Sequence, residues 1–266
     1  MVLAALFVAT AQGPTFEVVS IKPAAPDQNS VSSRGGPGSR TPGTWTCRNM
    51  SLHNLITIAY DARMEGQLVA PKWAEDLRFD IDAKVPTGAP KDSLRPMLRE
   101  MLANRFALRV HTQPKEVQGY ALVIAKNGPK LAEAAPENSA ERPQPGPDGF
   151  YRATLGPDGF PAVPAGVPGD WSVQGRVRAQ WYRISTAKLA DNLISSVGKP
   201  VENGTGLNGL YDVSLYWLMN PRPEVEPSGP DIFEALQQQL GLKLEPQKIT
   251  IQTVIVDHLE KLPTAN

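Results

Sequence analysis

The sequence predicts an α+β fold of two homologous β-α-β-α-β-β lobes, with mixed sheets and helices on one face, arising from an internal duplication. Three pairs of motifs recur in the same order, 134, 134 and 132 residues apart: MSLHNL (50–55) and ISTAKL (184–189), FALRV (106–110) and LGLKL (240–244), FDI (79–81) and YDV (211–213). The pairs keep their buried face as well as their spacing, although a slip of one residue would turn every inward side chain outward. Two copies of one unit explain this agreement.

Composition leaves room for two packed lobes and disfavours a charged macromolecular partner. The 266 residues are 41% hydrophobic and 20% charged, and 27 basic residues balance 27 acidic ones. This balance produces no overall field that would draw the chain to nucleic acid or anionic lipid. The 26 prolines and 22 glycines predict long irregular segments between the packed elements.

The first lobe is expected over residues 15–126. Alternating or continuous apolar residues predict its strands, at 16–22, 44–48, 79–85, 106–110 and 120–125. A turn is expected around Pro114. Ser51, and then Asp92 or Ser93, precede apolar residues at helical spacing, so these side chains are predicted to cap two helices.

The second lobe is expected over residues 173–266 and repeats this order. Its predicted strands cover the alternating segments 173–181, 211–217, 240–244 and 249–256. One helix is predicted between Ser185 and Gly198, and a second follows an S-x-x-D capping pattern formed by Ser228 and Asp231. Trp181, Tyr211 and Trp217 lie at inward strand positions and are predicted core residues.

Residues 127–172 are interpreted as a Pro/Gly-rich linker or hairpin between the lobes. GPDGF occurs there twice, at 146–150 and 156–160. Pro-Asp-Gly predicts a turn because proline presets φ and glycine supplies a positive φ. The two turns indicate either a small hairpin or a flexible segment.

Residues 1–14 look like a secretory signal, because the apolar run MVLAALFVATA ends in small residues. An extracytoplasmic location, periplasmic or secreted, is therefore expected, with the mature chain beginning near residues 12–15. No membrane insertion of that mature chain is expected, because no stretch is long enough to span a bilayer. Cys47 is the only cysteine, which excludes an internal disulfide and a cysteine-built metal cluster.

The sequence contains few residues arranged for catalysis or cofactor binding. His53, His111 and His258 lie far apart, and neither a metal motif nor a phosphate-binding motif in the right context occurs, so no metal and no cofactor are expected. Ser185 and Lys188 match S-x-x-K, in which lysine activates a serine nucleophile one helical turn away. The partner motifs are missing, and Ser185 occupies the capping position that Ser51 fills in the first lobe. Capping is the preferred interpretation.

A ligand site is predicted from three residues beside an irregular segment. Tyr60 and Trp73 flank residues 61–72, which lack regular periodicity, and Arg63 lies within that segment. Aromatic rings beside an arginine can form the wall of a ligand pocket. The competing interpretation is that the rings cover the end of the preceding helix.

Several motifs together resemble a known family. They include FEVVSIKP (16–23), PKW (71–73) before FDIDAK (79–84), MLANRF (101–106), TGLNGLYD (205–212), ALQQQLGLKL (235–244) and VDHLE (256–260). They are similar to the soil-associated domain-of-unknown-function family expanded in acidobacterial genomes. The resemblance implies an exported protein. It also implies an extracytoplasmic sensing or binding role, because a related domain is joined to membrane metallopeptidases of the beta-lactam-sensor type.

The leading functional hypothesis is a non-catalytic extracytoplasmic binding or sensing module for a small ligand or an envelope protein. Its ligand is expected between the lobes or under residues 61–72. One alternative is a secreted hydrolase whose site is assembled by folding, with Ser185 and Lys188 as candidates. Another is an envelope assembly or protein-interaction module, which an exposed sheet edge would favour.

Overall fold

The computed structural model of the chain has two compact units. It describes residues 14–26, 30–134, 154–163, 166–219 and 229–264. Unit 1 comprises Met1–Lys115 with Ile251–Asn266, and unit 2 comprises Glu116–Thr250. The α+β class predicted from the sequence is confirmed, but the unit boundaries fall elsewhere than at residues 126 and 173. Of the predicted signal-like residues 1–14, residues 1–13 lie outside the described part of the chain.

Unit 1 contains a four-stranded antiparallel sheet and two helices that share its core. Its elements are β1 (Val18–Pro23), β2 (Ser32–Gly35), β3 (Thr44–Ser51), α1 (Leu52–Tyr60), β4 (Leu68–Val69), a 3₁₀ turn (Lys72–Ala74), β5 (Arg78–Lys84) and α2 (Leu94–Phe106). The sheet order is β1-β5-β3-β2. Strand β6 (Arg109–Ile124) then begins in unit 1 and continues into unit 2.

Unit 2 contains a second antiparallel sheet. Its elements are β7 (Ala132–Glu133), β8 (Thr154–Leu155), β9 (Pro161–Ala162), β10 (Gly169–Val173), β11 (Arg176–Ile184), α3 (Thr186–Val197), β12 (Val201–Asn203), β13 (Tyr211–Leu218) and α4 (Ile232–Ala235), which continues as a π-helical turn (Leu236–Leu240). The sheet order is β10-β11-β13-β7, and β8 pairs with β9 as a separate hairpin. Strand β14 (Leu242–His258) begins in unit 2 and ends in unit 1.

The two units have the same strand order when equivalent elements are compared. β2-β3-β5-β1 in unit 1 corresponds to β10-β11-β13-β7 in unit 2. A short parallel strand is added in each unit, with Leu68 of β4 opposite Val254 and Val201 of β12 opposite Tyr120. This correspondence agrees with the proposed duplication, which remains our interpretation of the sequence and the fold.

A β-bulge recurs just before the first helix of each unit. Asn49 has φ 53° and Arg183 has φ 52°, values that place both in the left-handed region. The Asn49 N–H donates to Asp80 Oδ1 at 2.8 Å, and the Arg183 N–H donates to Asp212 Oδ1 at 2.9 Å. The ladder register shifts at both places. An aspartate of the neighbouring strand therefore satisfies the backbone group that the bulge frees.

Two of the predicted helix caps are confirmed. Ser51 Oγ accepts from the Asn54 N–H, and Ser185 Oγ accepts from the Lys188 N–H, both at 3.1 Å. Ser93 precedes α2 but its hydroxyl donates to the Pro90 carbonyl, so it makes no side-chain cap.

The cap of α4 also differs from the prediction. Asp231 itself caps this helix by accepting from the Glu234 N–H at 2.8 Å. Ser228, its predicted partner, lies outside the described residues.

The cores follow the predicted apolar faces. In unit 2, Trp181, Tyr211 and Trp217 are buried as predicted. In unit 1, Trp45, Phe79 and the inner faces of both helices form one cluster. Burial of these faces supplies most of the favourable free energy of folding in each unit.

The turn predicted at Pro114 is wrong, because β6 passes through this residue without a break. Pro246 lies in the same way within β14. Both prolines are exposed to solvent, where a missing strand N–H is tolerated. β6 and β14 therefore each run without a break from one unit into the other.

The second GPDGF motif forms the turn of the β8–β9 hairpin. The Gly156 N–H donates to the Phe160 carbonyl at 2.7 Å, and Gly159 has the expected positive φ of 77°. The first GPDGF motif lies outside the described residues. Residues 154–162 of the predicted linker thus form a hairpin with the second motif at its turn.

Candidate ligand-binding site

The end of α1 carries a cluster of charged side chains around Asp61. Asp61 has φ 55°, and its backbone N–H donates to helix carbonyls, so it ends the helix as a left-handed cap. Its carboxylate accepts from Arg63 Nε at 3.1 Å and from an Arg95 nitrogen at 2.7 Å. Arg63 follows the helix in sequence, whereas Arg95 projects from the first turn of α2. We call Tyr60, Asp61, Arg63, Arg95 and Arg99 the Asp61 cluster.

Arg99 places a guanidinium group over an aromatic ring of this cluster. Its carbon Cζ lies 5.0 Å from the centroid of the Tyr60 ring, a cation–π distance. Its Nε donates to the Ala59 carbonyl at 2.7 Å, which fixes the side chain at the C-terminal end of α1. Burial raises the pKa of the Tyr60 hydroxyl, Arg99 opposes this shift and Glu100 reinforces it. Tyr60 therefore stays a neutral hydroxyl near physiological pH.

The charges of this region do not cancel. Arg63, Arg95 and Arg99 contribute three positive charges, and Asp61 with the nearby Glu100 contributes two negative ones. The side chains remain accessible, with Arg95 51% and Asp61 32% exposed. A guanidinium has five N–H donors in a planar fork that matches a carboxylate. The cluster is thus a cationic, solvent-facing surface beside a phenol ring.

The equivalent surface of unit 2 carries no such charges. At an offset of 134 residues, Tyr60, Asp61 and Arg63 correspond to Ile194, Ser195 and Val197, and Arg95 and Arg99 correspond to Gly229 and Phe233. The helix ends also differ, because α1 ends at Tyr60 with Asp61 as its cap, whereas α3 continues to Val197 and is capped by Gly198. The Asp61 cluster is therefore specific to unit 1.

Trp73, the third predicted site residue, takes part in a different set of contacts. It lies in the 3₁₀ turn and packs partly buried against the unit 1 core. Lys261 Nζ lies 5.5 Å from the centroid of its ring. Tyr60 and Arg63 lie at the end of α1, where Arg99 stacks on Tyr60 and Arg63 pairs with Asp61.

A cavity of about 620 Å³ opens beside the β-bulge of unit 1. Its polar lining residues are Asn49, Asp76 and Arg78, and an Arg78 nitrogen donates to the Asn49 carbonyl at 3.0 Å. A positive φ at a buried polar residue often marks a functional site. Here the same backbone conformation recurs at Arg183, where an aspartate satisfies the N–H in the same way. The strain at Asn49 therefore belongs to the scaffold.

Ser185 and Lys188 are not arranged as a nucleophile and its base. Ser185 Oγ accepts the backbone N–H of Lys188, while Lys188 Nζ lies 2.8 Å from Asp191 Oδ2. The ammonium group is thus engaged by a carboxylate on its own helix, and its side chain is 57% exposed. This geometry matches the capping interpretation.

The histidines do not converge. His111 Nδ1 pairs with Asp257 at 2.8 Å, His258 Nε2 pairs with Glu260 at 3.0 Å, and His53 lies half-buried on α1. Among the described residues, no group of three or more His, Cys, Asp or Glu side chains could hold a metal ion.

Arg95 and Arg99 were missed by the sequence analysis. They lie four residues apart on α2, so they share one face of that helix. That spacing is visible in the sequence, but their partners at residues 59–61 are more than thirty positions away. Only the packing of α2 against α1 shows which surface the pair occupies.

Comparison with known proteins identifies a family for this chain. A family model described as Protein of unknown function (DUF3738) matches residues 53–259. No curated protein matches the chain, and no solved structure matches it. In the described part of the chain, every helix is too short or too polar to cross a membrane.

Proposed function

This chain belongs to the DUF3738 family of proteins of unknown function, and on that premise we propose that it is a non-catalytic extracytoplasmic binding or sensing module. The observation that carries the proposal is the Asp61 cluster. It combines a net positive charge, accessible arginine side chains and a neutral tyrosine hydroxyl on a rigid helix end. The ligand is a small molecule or peptide that bears a carboxylate.

The arrangement favours a carboxylate over a neutral ligand. Arg95 and Arg99 share one helix face, so their planar groups can be approached from one direction. Asp61 and the Ala59 carbonyl hold the two guanidinium groups in place, which lowers the entropy lost when a ligand orders them. The Tyr60 hydroxyl can donate to the same carboxylate.

The same contacts favour binding without catalysis. Asp61 Oδ1 accepts from two guanidinium groups, so this carboxylate holds Arg63 and Arg95 in place. Ser185, the nucleophile of the hydrolase alternative, serves as a helix cap, and Lys188 is paired with Asp191. The groups thus hold charge in fixed positions, which suits recognition.

Calorimetric titration with N-acetylglycine and with N-acetylglycinamide tests the site, because the two probes differ only in the carboxylate. We expect heat of binding from N-acetylglycine alone, weakened by added salt because the interaction is partly exposed. Arg95→Gln should raise the Kd about tenfold or more, the usual effect of losing a hydrogen bond to a charged group.

Arg109→Gln is the matched control, because Arg109 is another exposed arginine of unit 1 outside the cluster. It should leave the Kd unchanged. Equal binding of the amide, or the same Kd for Arg95→Gln and the natural sequence, would contradict the proposal. Inorganic phosphate serves as a third probe, and a preference for it over N-acetylglycine would also contradict the carboxylate assignment.

The proposed extracytoplasmic location rests on the apolar run at residues 1–11. Expression of the full chain in a bacterial host with an export pathway should yield protein in the periplasm or medium. Its N-terminus should lie near residues 12–15 by Edman sequencing or intact mass. An unprocessed chain confined to the cytoplasm would argue against export without affecting the test of the Asp61 cluster.

A further inference from the structure

A second cavity lies in unit 2, where the β8–β9 hairpin approaches β11. Its volume is about 420 Å³, within the range of small-molecule sites. Asp158, Arg178 and Gln180 provide its polar lining. Its apolar walls come mainly from the hairpin and the residues just after it, including Pro161 and Val163.

Arg178 is held in a defined position at this cavity. Its guanidinium pairs with the Asp158 carboxylate, and its carbon Cζ lies 5.3 Å from the centroid of the Tyr216 ring. The Phe160 ring packs on Tyr216 with centroids 4.6 Å apart. The arginine side chain is only 18% exposed. These contacts tie the hairpin to the sheet and leave little freedom for Arg178 to move.

Asp158 is fixed from the hairpin side and remains accessible. Its Oδ1 accepts from the Phe160 N–H at 3.1 Å, and its side chain is 53% exposed. The hydrogen bond from the Phe160 N–H lowers the pKa of this carboxyl below its ordinary value; burial opposes the shift and Arg178 reinforces it. A carboxylate acceptor is therefore available to a ligand at neutral pH.

Gln180 contributes an amide N–H donor, and a hydrogen bond to its carboxamide oxygen orients that group. Its Oε1 accepts from the Tyr182 hydroxyl at 2.8 Å, and that hydroxyl in turn accepts from the Gly166 N–H at 3.0 Å. The carboxamide oxygen is thus engaged, which orients the amide nitrogen and its two N–H groups. Trp171 lies opposite Arg178 in the sheet register, so an indole shares this outer face.

Unit 1 has none of these groups at the equivalent positions. Arg178, Gln180 and Tyr216 correspond to Thr44, Thr46 and Lys84, and the register pairs Arg178 with Tyr216 as it pairs Thr44 with Lys84. The hairpin is also specific to unit 2, because it lies in the longer segment between β7 and β10. The cavity is therefore an addition to the shared scaffold.

We propose that this cavity binds a neutral sugar. The charges of Asp158 and Arg178 cancel, so the cavity favours an uncharged ligand. A carboxylate that accepts and an amide that donates match the hydroxyl groups of a sugar, each of which can do both. The proline, alanine and valine walls suit the C–H faces of a sugar ring. This site is independent of the Asp61 cluster, which belongs to unit 1.

Calorimetric titration of the full chain with glucose, galactose, N-acetylglucosamine and cellobiose tests the proposal. At least one of these neutral sugars should bind. Asp158→Asn keeps an acceptor for the Phe160 N–H, and Gln180→Met keeps side-chain length, so both variants should fold. Each should raise the Kd of the bound sugar about tenfold, the effect of one lost hydrogen bond.

Thr46→Val is the matched control, since Thr46 holds the position of Gln180 in unit 1. It should not change the Kd. The proposal is overturned if none of the four sugars binds. It is equally overturned if sugar binding is undiminished in both cavity variants, or if glucuronate binds while the neutral sugars do not. Thermal melting of each variant in the absence of sugar identifies any change that comes from misfolding.

Discussion

Gly241→Ala is expected to destabilise the protein by about 2–4 kcal/mol, from backbone strain together with overpacking. Gly241 ends the π-helical turn with φ 64°, a conformation that disfavours residues with a Cβ. An added Cβ would lie 2.1 Å from the Gly128 carbonyl oxygen and 3.0 Å from the Lys130 nitrogen. Both neighbours are backbone atoms, so neither can move aside by a rotamer change.

Ala107→Gly is the matched control for this substitution. Ala107 holds the equivalent position in unit 1, 134 residues earlier, and already adopts φ 48°. Removing its Cβ relieves strain, so this variant should be as stable as the natural sequence or more stable by roughly 1 kcal/mol. Chemical denaturation followed by far-UV circular dichroism measures both. A Gly241→Ala variant as stable as the natural protein would contradict the predicted close approach of Gly128.

Cys47 is expected to resist thiol reagents in the native protein and to react once the chain unfolds. It is 1% exposed, and burial raises the pKa of its thiol from 9.0 to about 12. Because the thiolate is the reactive form, the raised pKa lowers its population about a thousandfold near pH 8, and burial hinders access further. As the only cysteine, it gives an unambiguous signal with Ellman's reagent. Rapid stoichiometric labelling of the native chain would contradict this prediction.

The same pKa shift predicts how stability depends on alkaline pH. The thiol holds its proton in the folded state up to about pH 12, whereas the unfolded chain releases it above about pH 9. Below pH 9 the thiol is protonated in both states, so it does not alter the free energy of unfolding. Above pH 9 its titration lowers the free energy of unfolding by about 1.4 kcal/mol per pH unit. Other groups also titrate in this range, so the slope is compared with that of Cys47→Ala. Equal slopes in the two proteins would exclude the thiol as the cause.

Local patterns predicted the individual elements of this protein well. The caps at Ser51 and Ser185 and the alternating strands of both sheets depend on neighbouring residues, and the structure confirms them. The predicted turn at Pro114 was wrong, because β6 continues through this exposed proline. The aspartates that satisfy the two bulges were also missed, because they lie on another strand.

At the candidate sites too, the sequence predicted residues that are close along the chain and missed those that packing brings together. Tyr60 was predicted because it flanks an irregular segment and Arg63 because it lies within that segment, which are properties of the sequence around them. Arg95 and Arg99 join them only through the packing of α1 on α2. At the second cavity, Asp158 meets Arg178 across twenty residues of chain, a distance at which no periodicity carries information.

The sequence by itself determined the α+β class and the inward faces of the elements, because both depend on interactions between residues a few positions apart. Tertiary structure alone decided where β6 and β14 pass between the units and which charged side chains meet at Asp61 and Asp158. Those outcomes depend on which surfaces pack together. The free energy of burial is proportional to the apolar area removed from water, and it does not depend on how far apart the residues are along the chain.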